Sequence, residues 1–128
     1  VASEIVLDAS ALLALLNGEP GSEEVEHALP RAVLSAVNLS EVIAKLSEAG
    51  MSQEVIRLAL GQIQLDIRPF DISAAYRAGA LRAQTKDRGL SFGDRACLAL
   101  AQEIATPVLT ADRDWREVDV GVEVRLIR

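Results

Sequence analysis

Four carboxylates stand out by where they fall in the chain. Asp8 ends the unbroken apolar run Ile5-Val6-Leu7, and an apolar helical pattern (Leu12, Leu13, Leu15, Leu16) follows at once. Glu41 lies about two turns into the helix that follows a second apolar run, Ala32-Val33-Leu34. Asp94 falls in the first turn of a helix opened by Ser91, and Asp112 follows Pro107-Val108-Leu109-Thr110. Runs without polar alternation suit strands buried on both faces of a parallel sheet. Open parallel sheets bind their ligands beyond the carboxyl ends of the strands. The layout therefore brings all four acids to one edge. Carboxylates sharing a cleft repel one another unless a cation or shared protons relieve them. With oxygen donors only and no candidate His or Cys, that cation is a hard one, Mg²⁺ or Mn²⁺.

Singly, each acid has an ordinary explanation. Asp8 and Asp112 are good helix caps, Asp94 complements a helix dipole, and Glu41 suits a solvated helix surface. Jointly these explanations weaken, because caps have no reason to select one edge of a sheet. Ser10 and Thr110 sit beside two of the acids, where their hydroxyls either orient a carboxylate or serve as caps and turns. His27 lies in an acidic helix and reads as exposed. Cys97, within an apolar helix, reads as core rather than nucleophile. Trp115 is either a base-stacking residue or packing at the sheet edge.

The remaining elements follow from periodicity and stop signals. A short helix runs from Ser10 to Asn17, closed by Gly18 and Pro20, and Ser22 caps a polar helix ended by Pro30. Ser35 opens a helix that stops at Gly50, and Ser52 caps another through Leu60. Leu65 and Ile67 mark a third strand near an edge, since Pro69 cannot donate to a ladder. Asp71 caps a long helix to about Lys86, followed by a charged loop to Gly89. The helix after Ser91 runs from Phe92 to Ile104. Asp114 and Trp115 lie in a turn, and Val122 to Ile127 form a fifth strand. Strands alternating with helices predict a three-layer α/β/α sandwich with a mainly parallel central sheet, one domain over residues 1–128.

Composition narrows the function. The 128 residues carry a net charge of -6, which argues against coating nucleic acid. It does not exclude a nuclease, whose metal-site acids are counted in that charge. The single cysteine permits no internal disulfide. No apolar run reaches the roughly 20 residues of a membrane span, and no basic-then-apolar leader is visible. A cytoplasmic protein without a membrane role is the expectation.

Taken together, V-L-D-A-S-A-L-L-A-L-L (Val6 to Leu16), N-L-S-E-V (Asn38 to Val42), L-S-F-G-D-R (Leu90 to Arg95) and L-T-A-D-R-D-W (Leu109 to Trp115) resemble the four acidic motifs of PIN-domain nucleases. The VapC-type toxins of toxin–antitoxin pairs are the particular likeness, and it spans the whole chain. It implies a PIN-like fold and a Mg²⁺- or Mn²⁺-dependent endoribonuclease cutting single-stranded RNA, with Asp8, Glu41, Asp94 and Asp112 as catalytic, metal-binding acids. Asp8 and Asp94 would be the main direct ligands. Asp114, two residues beyond Asp112, competes for its role, and Asp112 is favoured because it occupies the T-A-D position. The resemblance also implies a cognate antitoxin and a homodimer. A PIN nuclease of RNA processing or repair, or a PIN-like module that binds without cleaving, are the alternatives.

Basic residues near the motifs, Arg82, Lys86, Arg88, Arg95, Arg113 and Arg116, either form a rim for RNA or are ordinary surface charge. Leu12, Leu13, Leu15 and Leu16, with Met51, Val55 and Leu58, exceed what one packed face needs. They are either all core or leave an apolar remainder for a partner segment. Other acid-site folds fit less well. A receiver domain wants a late Lys, and none follows Lys86. A haloacid-dehalogenase-type phosphatase wants a second Asp where Ser10 stands. A dinucleotide-binding domain wants a Gly-rich turn after the first strand, and there is none.

Overall fold

In a computed structural model describing residues 3–128, five short strands form one sheet in the order β3-β2-β1-β4-β5. They are β1 (Ile5–Leu7), β2 (Ala32–Ser35), β3 (Asp66–Arg68), β4 (Val108–Thr110) and β5 (Val124–Leu126), and every neighbouring pair is parallel. The helices are α1 (Ala9–Asn17), α2 (Ser22–Ala28), α3 (Ala36–Glu48), α4 (Gln53–Ile63), α5 (Ile72–Thr85) and α6 (Phe92–Ile104). Short 3₁₀ turns occupy Leu29–Arg31, Lys86–Arg88 and Arg113–Glu117.

Strand alternation splits the core into two layers. Ile5, Leu7, Ala32, Leu34 and Leu109 pack with α1 to α4 on one face of the sheet. Val6, Val33 and Val108 pack with α5 and α6 on the other, together with Trp115. Helices cover both faces, so β1, β2 and β4 are buried throughout, and their lack of polar alternation is explained. The three-layer α/β/α sandwich is as expected. Among the described residues no helix is long and apolar enough to cross a membrane.

The caps follow the sequence closely. Ser35, Ser52, Asp71 and Ser91 each accept a backbone N–H of the first turn of the helix they precede. Several boundaries differ from expectation. The first helix begins at Ala9, with Asp8 itself as its cap. The second is preceded by Gly21 rather than capped by Ser22. Gly21 has φ +95°, and a Cβ there would stand 2.7 Å from Ile127. Both the turn and the close approach of the C-terminal strand therefore require glycine. The charged loop at Lys86–Arg88 is a 3₁₀ turn. The last strand is shorter than Val122–Ile127, because its partner β4 offers only the three residues Val108–Thr110 to pair with.

Candidate active site

The carboxyl ends of β1 and β4, paired in the sheet centre, place Asp8 and Asp112 on one edge. Asp8 is only 5 % exposed. Its Oδ1 accepts the Ala11 N–H at 2.8 Å and the Ser10 hydroxyl at 2.7 Å, and its Oδ2 accepts the Thr110 hydroxyl at 2.5 Å. The two hydroxyls also accept from the β4 side: Ser10 Oγ from the Ala111 N–H, Thr110 Oγ1 from the Asp112 N–H. They are thus the pins that hold Asp8 against the end of β4. Burial pushes the Asp8 carboxyl up to about 6; the Thr110, Ser10 and Ala11 bonds pull it back, and the charge of Asp94 raises it further.

Asp94 begins α6 in a reciprocal cap. Its N–H donates to Ser91 Oγ while its Oδ2 accepts the Ser91 N–H. Its carboxyl is raised, chiefly by burial, against the opposing Ser91 bonds; Asp112 raises it and Arg95 lowers it. Asp94 is therefore both a helix-end charge and a member of the acidic edge. Asp112 is exposed and caps the turn that follows it, its Oδ1 accepting the Asp114 N–H at 2.9 Å. Of Asp112 and Asp114, it is Asp112 whose charge bears on Asp94. Asp114 instead lines a separate polar cleft of about 280 Å³ with Arg88, Arg113, Arg116 and Glu117.

Glu41 reaches the same end of the molecule from α3. The Asn38 amide, one helical turn earlier, donates from Nδ2 to Glu41 Oε1 at 2.8 Å and to the Gly93 carbonyl at 3.0 Å. Gly93 lies so close to Glu41 that a Cβ there would overlap the Glu41 carboxylate. Asn38 and Gly93 are the positioning residues that motif reading missed. An i, i+3 Asn–Glu pair on a helix and a glycine just before an acid were the only signals available.

Beneath the acids lies Cys97, fully buried, with its thiol directed at the Leu7 carbonyl. Burial first, then the charges of Asp8, Asp94 and Glu41, push this thiol well above its ordinary range. It is a core residue, not a nucleophile. His27 is exposed, as expected. Trp115 is fully buried, so the base-stacking alternative falls and the packing one stands. Of the basic residues, Arg95 donates to the Ala78 carbonyl and Arg88 pairs with Glu117. Arg82, Lys86, Arg113 and Arg116 are exposed.

Among the described residues no group of three or more His, Cys, Asp or Glu side chains is drawn together closely enough to hold a metal ion. The donor set nonetheless fits a hard cation. Glu41, Asp94 and Asp112 each hold one carboxylate oxygen on a protein N–H donor. Beside Glu41, the Asn38 Oδ1 is buried without a partner among the described residues.

A parallel sheet with carboxylates at its C-terminal edge, and no glycine-rich turn after β1, defines an α/β domain of the acid-site class. The PIN domain family model matches residues 5–121, and the chain belongs to that family, whose members are generally nucleases. Solved structures agree. The DNA-bound VapBC of Salmonella typhimurium is 19 % identical, with a TM-score of 0.77 over 99 % of this chain and 100 % of that one. A toxin–antitoxin complex of Klebsiella pneumoniae is 23 % identical, with a TM-score of 0.76 over 98 % of each. VapBC-5 of Mycobacterium tuberculosis is 25 % identical, with a TM-score of 0.64 over 99 % of each. The resemblance read from the motifs is thereby borne out. Among curated proteins, nothing matches the chain.

Proposed function

We propose that the protein is a metal-dependent endoribonuclease that cuts single-stranded RNA, and the toxin of a toxin–antitoxin pair. The observation that carries this is the buried, threefold hydrogen-bonded Asp8 with Asp94 beside it. Such a carboxylate is held in place at an electrostatic disadvantage that a cation would relieve. Asp8 and Asp94 would hold Mg²⁺ or Mn²⁺ directly, with Glu41 and Asp112 binding directly or through water. The chemistry such an ion supplies when bound is a water of lowered pKa and stabilisation of charge on the phosphodiester. The chain's own residues orient the acids: Ser10 and Thr110 fix Asp8, Ser91 fixes Asp94, and Asn38 with Gly93 fixes Glu41. Exposed Arg113 and Arg116, beyond Asp112, attract the RNA backbone past an acidic surface.

Similarity to VapBC complexes supports an antitoxin partner for this chain. An unpaired apolar surface supports protein partners too: Leu12 is core, whereas Val55 and Leu58 on α4 are 48 % and 63 % exposed. A homodimer and a cytoplasmic location belong to the same reading. Purified protein is expected to cut single-stranded RNA with Mg²⁺ or Mn²⁺ and to stop in EDTA. Asp8→Ala and Asp94→Ala are expected to abolish cutting while circular dichroism stays native. If both variants cut at the parental rate, the reading is overturned.

A further inference from the structure

Both phenylalanines of this aromatic-poor chain meet at the mouth of the acidic edge. Phe70 follows β3 and Phe92 opens α6; their ring centroids are 5.4 Å apart and their planes lie at 86°. This edge-on contact fixes the Phe92 ring while leaving the residue half exposed (50 %). The Arg95 guanidinium lies over the same ring, 5.8 Å from its centroid. Together with Ala36, Val37, Ser40, Glu41 and Ala44 of α3, the rings line a shallow, mostly apolar groove of about 530 Å³.

Phe92 stands at the first position of α6. Here it borders a small apolar groove that shares one residue, Glu41, with the acidic edge. A strand with a phosphate at the acids necessarily presents a neighbouring base within a nucleotide's reach. Unpaired bases are held by aromatic faces and arginine planes, with hydrogen bonds to their edges. Phe92 supplies the aromatic face and the Ser40 hydroxyl the hydrogen bond, while Arg95, held by the Ala78 carbonyl, lies over the Phe92 ring from outside the groove lining.

We propose that this groove holds one unpaired base of the RNA strand against Phe92 and so helps select where the strand is cut. The proposal rests on the nuclease reading above and adds a specificity residue to it. A base in the groove requires a single strand, since a paired base has no free face to offer. It also ties the cut position to the identity of one neighbouring base, whose edge meets Ser40.

The test is a cycle between protein and substrate. Phe92→Ala, Phe92→Leu and Phe92→Trp are compared with the parent on a short single-stranded RNA, intact or with one base removed at each position flanking the cut. Loss of the stacking face is expected to lower kcat/KM by roughly 5- to 150-fold. Phe92→Leu should resemble Phe92→Ala, and Phe92→Trp should recover most of the rate. Removing the stacked base should slow the parent by a similar factor and slow Phe92→Ala hardly further. Cut-site base preference should relax in Phe92→Ala. A parent that cuts RNA while Phe92→Ala keeps its rate and preference, or shows losses that simply add, overturns this inference alone. Added loss of binding to a partner polypeptide in that case assigns the groove to protein. A parent that cuts no RNA under any metal overturns the nuclease reading, and this inference with it.

Discussion

Replacing Asp8 by asparagine should stabilise the metal-free protein at alkaline pH and destabilise it at acid pH. Burial holds the Asp8 carboxyl at about 6, against an ordinary value of 3.8. At about 1.4 kcal/mol per pKa unit, keeping it ionised in the fold costs roughly 3 kcal/mol. Because the folded value is the raised one, the associated stability is fully present below pH 3.8 and is lost as pH rises through about 6. The substituted amide carries no charge, and its oxygen can accept from Ala11 and Ser10. Its NH₂ group faces the Thr110 hydroxyl, which already accepts from the Asp112 N–H. That weakened bond costs about 0.5–1.5 kcal/mol. The net gain for Asp8→Asn is therefore about 2 kcal/mol at pH 8, or roughly 7 °C in melting temperature for a chain of this length. The two effects cancel at about pH 4 to 5, below which the parent is the more stable. Thermal melts of both proteins in EDTA across pH 4 to 8 measure this. A variant that melts below the parent at pH 8, or by a pH-independent difference, would refute the reasoning.

Gly93→Ala should act on catalysis more than on stability. The new Cβ displaces the flexible end of Glu41, while alanine favours the helix by up to about 1 kcal/mol. Melting should change little and RNA cleavage should fall tenfold or more; unchanged cleavage would mean that Glu41 is dispensable where it stands. Asp94→Asn retains an oxygen for the Ser91 N–H but removes a charge facing Asp8 and Asp112. It should melt higher in EDTA, by somewhat less than the relief of repulsion because a helix-end charge worth about 0.3–1 kcal/mol is lost. Added Mg²⁺ should stabilise the parent by roughly 2.7 kcal/mol at a hundredfold excess over Kd and the variant far less. Equal gains would leave Asp94 a helix cap alone.

Much of the fold is legible because its signals are local. β1, β2 and β4 are buried on both faces, so their apolar runs carry no alternation to misread. Ser35, Ser52, Asp71 and Ser91 cap helices through bonds made within three residues. Three of the acids are legible for a related reason: Asp8, Asp94 and Asp112 follow a strand or open a helix whose limits are marked. What escaped depends on contacts between distant segments. Gly21 replaces Ser22 as the helix entry because Ile127 packs against it, from the other end of the chain. Asn38 and Gly93 matter through a bond spanning 55 residues between α3 and α6. Trp115 lies in a turn by sequence, yet the turn folds its indole into the layer beneath α6. Asp94 shows that a helix cap and a place in an acidic cluster need not compete, since it makes the reciprocal bonds with Ser91 while feeling the charge of Asp112.

The borders of the sheet also carry a consequence for association between molecules. Its two outer strands are three residues each, and each carries a cation paired with an anion two residues away. Arg68 is bonded to Asp66 and Glu4, and Arg125 to Glu123. Such exposed pairs add little to stability, but they flank the backbone groups that a further strand would need. Short, charged borders of this kind discourage growth of a sheet from one molecule into the next. The exposed large apolar residues Val55, Leu58, Ile72 and Tyr76 lie instead on helices, which leaves the helical faces as the surface open to apolar association. Oligomers built there have a size set by helix packing rather than an open-ended ribbon.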